Sequence, residues 1–142
     1  MRLFLDANVL FSAAQNAGGG AAALFDLAEE GWCTLTASPH ALQEARRNLE
    51  LKRPELLPWL ERLLRAVAVC PECSPQNAAW ARAQRLPDKD APILGAAAQA
   101  RAGLLVTGDR THFGHLCGNS LRGVLIVTPA EALARLLVQG RG

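Results

Sequence analysis

No stretch of this sequence approaches the roughly 20 apolar residues that a membrane-crossing helix needs. The N-terminus, MRLFLDANVL, lacks the basic start, long apolar stretch and small-residue cleavage site of a secretory signal, so a cytoplasmic protein without membrane attachment is expected. Cysteine is scarce. Cys33, Cys70, Cys73 and Cys117 are too few for a disulfide scaffold, and in a reducing compartment they stay thiols. Charge of one sign is lacking too. A net charge of +2 and a pI near 8.5 are compatible with a nucleic-acid partner but fall short of the basic excess of a dedicated phosphate-binding protein. Repeats, low-complexity tracts and interdomain linkers are absent; Gly18 to Gly20 reads as a connection and Gly140 to Gly142 as a frayed tail. What is present suffices for one core. The chain has 142 residues, 50% hydrophobic and 20% charged, enough for one sizeable interior but not for two, so residues 1–142 are read as a single domain.

Short apolar runs recur at Arg2 to Leu5, Cys33 to Thr36, Ala66 to Cys70, Leu104 to Thr107 and Val124 to Val127. Their length and bounding residues predict five buried strands. Between them lie segments of helical period, beginning near Ala21, Pro39, Pro58, Gln76, Ala91 and Ala130. Strand alternating with helix implies an α/β fold: a parallel sheet with helices on both faces. Some helix starts carry their own chemistry. Ser38 before Pro39 fits an N-cap with a first-turn proline, and Thr128-Pro129-Ala130-Glu131 has the spacing of a capping box. Pro58 would break a helix running through Glu55 to Arg65, so that helix starts at or just before it.

Four acids fall where such a fold puts its ligands, in the crevice outside the carboxyl ends of the strands. Asp6 ends the first strand and Asp109 follows the fourth. Asp90 opens the Ala-rich helix, and Glu44 lies in the first turns of the helix that begins at Ser38. Taken singly, Asp6 reads as a turn or cap residue and Glu44 as a solvated helix residue. Together they need a reason to converge, because neighbouring carboxylates raise one another's pKa and a lone buried charge is costly. A divalent cation supplies that reason. Mg²⁺ prefers oxygen ligands and keeps several waters, and such an ion lowers the pKa of bound water and clamps a phosphate oxygen, so phosphodiester hydrolysis needs no nucleophilic side chain.

The segments that carry these acids are Leu-Asp-Ala-Asn-Val-Leu-Phe-Ser-Ala from Leu5, Glu44 in its helix, Asp90-x-x-Ile-Leu, and Val-Thr-Gly-Asp-Arg-Thr-His-Phe from Val106. In this order, over nearly the whole chain, they resemble PIN domains. The resemblance implies a five-stranded parallel sheet of order 3-2-1-4-5, which sets Asp6 beside Asp109, and Mg²⁺- or Mn²⁺-dependent endoribonuclease chemistry. Asp6, Glu44, Asp90 and Asp109 match the family's acidic quartet, both catalytic and metal-holding. Asn8 and Thr107 match polar positions that orient the first and last acids, although Asn8 could equally bond its own turn. Asp88 is an extra acid, a supporting residue or, by preference, a cap of the following helix. The chain further resembles the toxin half of VapBC-type toxin–antitoxin pairs, which implies an RNA substrate and a small antitoxin partner. With that kinship, the Leu-rich segment Leu56 to Leu64 and Trp59 suggest a homodimer.

Other residues are read more plainly. Arg46, Arg47, Lys52 and Arg53 follow Glu44, while Arg82, Arg85 and Lys89 precede Asp90 and Arg110 follows Asp109. Of these, Arg46, Arg47, Arg85, Lys89 and Arg110 are candidate phosphate contacts, although solvated helix faces are usual. Cys70-Pro-Glu-Cys73 with His112, His115 and Cys117 has zinc-like spacing, but ordinary packing is preferred for the thiols and water contact for His112. Trp32, Trp59 and Trp80 are assigned to core or interface, since no basic residues interleave with them as in a base-stacking surface. Two further functions stay open. One is a PIN-type nucleic-acid-binding module that does not cut. The other is a haloacid-dehalogenase-type phosphohydrolase, which needs a second Asp where this chain has Asn8.

Overall fold

A computed structural model describes residues 1–140; of the expected tail Gly140 to Gly142, residues 141 and 142 lie outside the described residues. The chain alternates as expected: β1 (Arg2–Leu5), α1 (Ala7–Gln15), α2 (Gly20–Glu29), β2 (Thr34–Ala37), α3 (Pro39–Lys52), α4 (Leu57–Leu64), β3 (Val67–Val69), α5 (Pro75–Arg82), α6 (Ala91–Gln99), β4 (Leu104–Val106), α7 (Arg110–Phe113), β5 (Ser120–Leu121), β6 (Val124–Val127) and α8 (Pro129–Gln139). Single turns of 3-10 helix at Pro54–Leu56 and Gly114–Leu116 complete it. The expected caps form. Ser38 Oγ accepts from the Ala41 N–H at 3.2 Å ahead of Pro39, and Thr128 Oγ1 accepts from the Glu131 N–H at 3.2 Å ahead of Pro129. Each satisfies one of the N–H groups that a helix start leaves without a partner.

The sheet runs β3-β2-β1-β4-β6-β5. Its five parallel strands keep the order expected from the sequence, with Val124–Val127 as the fifth in that count. The sixth, Ser120–Leu121, pairs antiparallel with β6 and was not expected. A two-residue strand carries no periodicity to read. It is set by the turn at Arg122 and Gly123, whose φ values of 52° and 82° are those of a type I′ hairpin turn. A second correction concerns β3. It was expected as a buried strand over Ala66 to Cys70, but it is a three-residue edge strand in which only Val67 is buried.

The central strands are buried on both faces because helices cover both. Leu3, Phe4 and Leu5 of β1 and Leu105 and Val106 of β4 are fully buried. Helix α1 was not read from the sequence. It follows β1 with no linker, because Asp6 ends the strand and serves as the helix N-cap at once. Helix α6 packs closely on α5, and Gly95 permits that approach: a Cβ there would lie 2.8 Å from Cys73 Sγ and 3.0 Å from the Asn77 carbonyl oxygen. The position of α6, and with it Asp90 at its start, depends on that contact. In α4 and the turn before it, Leu60 is buried and Leu56, Leu57, Leu63 and Leu64 pack against the core. Trp59, 38% exposed, is the one large apolar side chain of this segment that faces outward, and the leucines invoked for a dimer pack in part against the chain's own core.

Candidate functional site

β1 and β4 lie side by side and parallel, with Leu5 opposite Val106. The residues that follow them, Asp6 and Thr107, therefore emerge together at the carboxyl edge of the sheet. Asp6 is 5% exposed. Its Oδ1 accepts from the Ala7 N–H at 2.8 Å, and its Oδ2 accepts from Thr107 Oγ1 at 2.8 Å and from Asn8 Nδ2 at 3.2 Å. Asn8 does not bond its own turn alone, because its Oδ1 also accepts from the Gly108 N–H at 2.9 Å, a residue 100 positions away. Thr107 Oγ1 accepts in turn from the Asp109 N–H at 3.1 Å. Asn8 and Thr107 thus tie the end of β1 to the end of β4 and fix where Asp6 and Asp109 stand.

Asp109 caps the short helix α7 by accepting from the His112 N–H at 3.0 Å through Oδ1. Its other oxygen, Oδ2, lies 2.9 Å from His112 Nδ1, and that same nitrogen is 2.8 Å from Asp90 Oδ2. Asp90 occupies the N-cap position of α6, but its side chain makes no capping bond. The carboxylate turns toward Asp109 and His112 instead. One donor atom from each of Asp90, Asp109 and His112 lies within 4.8 Å of the others. Glu44 of α3 approaches from the side. Its charge is felt by both Asp6 and Asp90, while its own carboxylate is 39% exposed and 3.7 Å from His40 Nε2. Asp6 and Glu44 flank the three-residue group without joining it.

Burial dominates the electrostatics. It pushes the Asp6 carboxyl up to about 6; the bonds from Thr107 and Ala7 pull back, and the charges of Asp90 and Glu44 push further. Asp90 is also raised, by burial first, with His112 and Lys89 opposing and Asp109 and Glu44 adding to it. Such a crevice resists holding all its charges without a cation. Two observations fit one. Asp90 is 8% exposed, and its Oδ2, like His112 Nδ1, is buried and without a hydrogen-bond partner despite their short separation. Adjacent ligands of an octahedral Mg²⁺ or Mn²⁺ ion lie about 3 Å apart, close to the 2.8 and 2.9 Å separations here.

His112 was assigned to water by the sequence reading and is instead in the site. The signal that could have found it is its i, i+3 spacing from Asp109, visible only once that stretch is known to be helical. The basic residues divide. Arg46 makes a two-pronged pair with Glu61 of α4, at 2.8 and 3.0 Å. Arg53 pairs with Glu55 at 2.8 Å, and Lys52 lies over the Phe11 ring. Arg47, Arg85, Lys89 and Arg110 are exposed. Asp88 is exposed too, and the cap position expected for it is taken by Asp90. All four cysteines are free thiols. Cys73 is packed against α6 at Gly95, while His115 sets Nε2 on the Gln84 carbonyl at 2.8 Å. Trp80 packs against the core under the Arg122 guanidinium, 4.0 Å from the ring centre.

A parallel sheet with Asp6 and Asp109 following its two central strands, and an acidic cluster with room for a metal at the switch point of strand order, defines an α/β protein. The family profile described as "PIN domain" matches residues 2–111. The chain belongs to the PIN-domain family. A search of curated proteins returns no match. Among solved structures, it is similar to VapBC2 from Rickettsia felis bound to a DNA fragment from their promoter, with TM-score 0.68, 16% identity, and coverage of 90% of this chain and 98% of that one. PAE2754 from Pyrobaculum aerophilum gives TM-score 0.68 at 21% identity, covering 98% and 100%. The structure of FitAB bound to an IR36 DNA fragment gives TM-score 0.58 at 19% identity, covering 89% and 94%. At these identities the likeness is one of fold.

Proposed function

We propose that this chain is a single-domain, cytoplasmic, Mg²⁺- or Mn²⁺-dependent endoribonuclease and the toxin component of a toxin–antitoxin pair. The observation that carries the reading is the convergence of Asp90 and Asp109, with His112 between them, next to the strand end that carries Asp6. Asp6, Glu44, Asp90 and Asp109 hold the cation in this reading. When bound, the ion polarises a phosphodiester oxygen and lowers the pKa of a water molecule. The chain's own residues place and screen the reactants. Thr107 and Asn8 fix the Asp6 carboxylate by donating to it, and the backbone bonds to Asn8 and Thr107 hold Asp109 in register. Arg47 of α3, Arg85 and Lys89 of the connection between α5 and α6, and Arg110 of α7 are exposed and supply phosphate contacts that position RNA without reading its sequence. The toxin role is supported by family membership, by the likeness in fold to VapBC2, and by the FitAB structure.

The test is incubation with RNA in Mg²⁺, in Mn²⁺ and in EDTA. Cleavage with either ion and none in EDTA is expected; cleavage that persists in EDTA contradicts the reading. RNA binding without cleavage under any ion favours the non-catalytic module instead. A dehalogenase-type mechanism gains nothing from the geometry, because Asn8 uses its amide on Asp6 and Gly108 and offers no acid–base group. Within the proposed mechanism, Thr107→Val keeps shape but removes the hydroxyl that links Asp6 to the Asp109 N–H. Loss of such an orienting partner is expected to lower cleavage by about 10- to 100-fold. Single-turnover rates at saturating metal check it, and a wild-type rate would mean that the acids need no such support.

A further inference from the structure

His112 brings one ring nitrogen to two carboxylates at once. Its Nδ1 stands between Asp90 Oδ2 at 2.8 Å and Asp109 Oδ2 at 2.9 Å. Nδ1 and Asp90 Oδ2 are both shut off from solvent, and neither makes a well-aligned hydrogen bond, so one nitrogen and two carboxylate oxygens converge on a single enclosed spot. The ring is nonetheless held in place. Its backbone N–H is bonded to Asp109 Oδ1 at 3.0 Å, and the next residue, Phe113, is fully buried and anchors the turn. Asp109 and His112 therefore sit on one small rigid frame, and α6 brings Asp90 to meet them.

We propose that His112 Nδ1 is a ligand of the same cation as Asp90 and Asp109, so that the site takes Mn²⁺ in preference to Mg²⁺. The inference rests on the reading that these two acids bind a divalent metal. Two carboxylate oxygens and one imidazole nitrogen form a mixed donor set. Mg²⁺ favours oxygen and water, whereas imidazole suits first-row transition ions, and Mn²⁺ accepts both kinds of donor in octahedral geometry. As a ligand the ring would be neutral, with its proton on Nε2 and the Nδ1 lone pair given to the cation. Asp6 and Glu44 lie outside this three-residue group and would reach the cation through water.

The closing experiment measures Mg²⁺ and Mn²⁺ binding to the whole chain by calorimetry and records electron spin echo modulation of the Mn²⁺ complex. The wild type is expected to prefer Mn²⁺ and to show modulation from a directly bound ¹⁴N. H112A is expected to lose that modulation and to reduce the Mn²⁺ preference by about tenfold. H112Q replaces nitrogen with an amide oxygen, so it is expected to bind both ions without the preference. Because the echo signal is read on the wild type, the proposal does not depend on either variant folding. Mn²⁺ bound with no ¹⁴N modulation overturns the role of His112 and leaves the acidic site standing. So does an equal gain in affinity for both ions in H112A, which would make the ring a stand-in that a cation displaces. A wild type that binds neither ion overturns the proposed function as well.

Discussion

Asp90→Asn and Asp109→Asn are each expected to lower RNA cleavage at saturating Mg²⁺ by about 10³-fold or more, the size of a loss of several kcal/mol from a metal-assisted transition state. Asparagine is the informative replacement because it removes charge and little else. At position 109 the amide oxygen can still accept the His112 N–H that now goes to Asp109 Oδ1, and Asn is as good an N-cap as Asp. At position 90 no capping bond exists to be lost. RNA affinity, measured in Ca²⁺ so that nothing is cut, is expected to change little. In the proposed site, binding is carried by the exposed basic residues on the flanking elements, and chemistry by the acids. The readout is single-turnover cleavage beside a binding titration on the same RNA. If affinity and turnover fall in parallel, the carboxylates serve binding and the hydrolytic reading fails.

Asp6 gives the largest expected effect on stability. Its carboxyl, ordinarily at 3.8, is held near 6 chiefly by burial, which makes the charged form about 3 kcal/mol less favourable in the folded protein. The sign follows from linkage: a raised folded pKa contributes stability that is fully present below 3.8 and is lost as pH rises through about 6. In EDTA, Asp6→Asn is expected to match wild type or fall slightly below it near pH 3.5. Near pH 7.5 it is expected to exceed wild type by up to about 3 kcal/mol. Glu55 and Glu61, lowered by their Arg53 and Arg46 partners, act in the opposite direction, but they are common to both proteins and cancel in the difference. Excess Mg²⁺ is expected to narrow or invert the order at neutral pH, because a ligand stabilises only the protein whose site is intact. Urea unfolding at the two pH values, with and without Mg²⁺, checks this. A variant less stable than wild type at pH 7.5 in EDTA would make Asp6 a structural partner and not part of a repelling cluster.

Much of the architecture was legible because it is written in local pattern. Apolar runs of strand length alternate with helical periods, which specifies a parallel sheet. Ser38-Pro39 and Thr128-Pro129 mark helix starts through side chains that bond residues three positions on, a relation visible in the sequence itself. Asp6 and Asp109 could be placed at one edge of the sheet once β1 and β4 were taken as neighbours. Where a feature depended on very short segments, the sequence carried too little signal. The two residues of β5 have no period, and four-residue α7 is too short to show one, so His112 was read as a solvated loop residue.

The tertiary structure alone decided which partner each polar side chain took. Asp90 lies where a helix cap belongs, yet its carboxylate faces His112 and Asp109, because α6 is seated by the close contact at Gly95 and α7 by buried Phe113. Arg46 looks free in sequence beside Glu44, but α4 folds back to offer Glu61 fifteen residues on. Asn8 meets Gly108, and Thr107 meets Asp6, across about a hundred residues of chain. Periodicity and capping act within a few residues and so can be read in one dimension. Burial of Asp6, its raised pKa and the meeting of two acids with one imidazole come from elements distant in the chain, and only their packing brings those groups within reach.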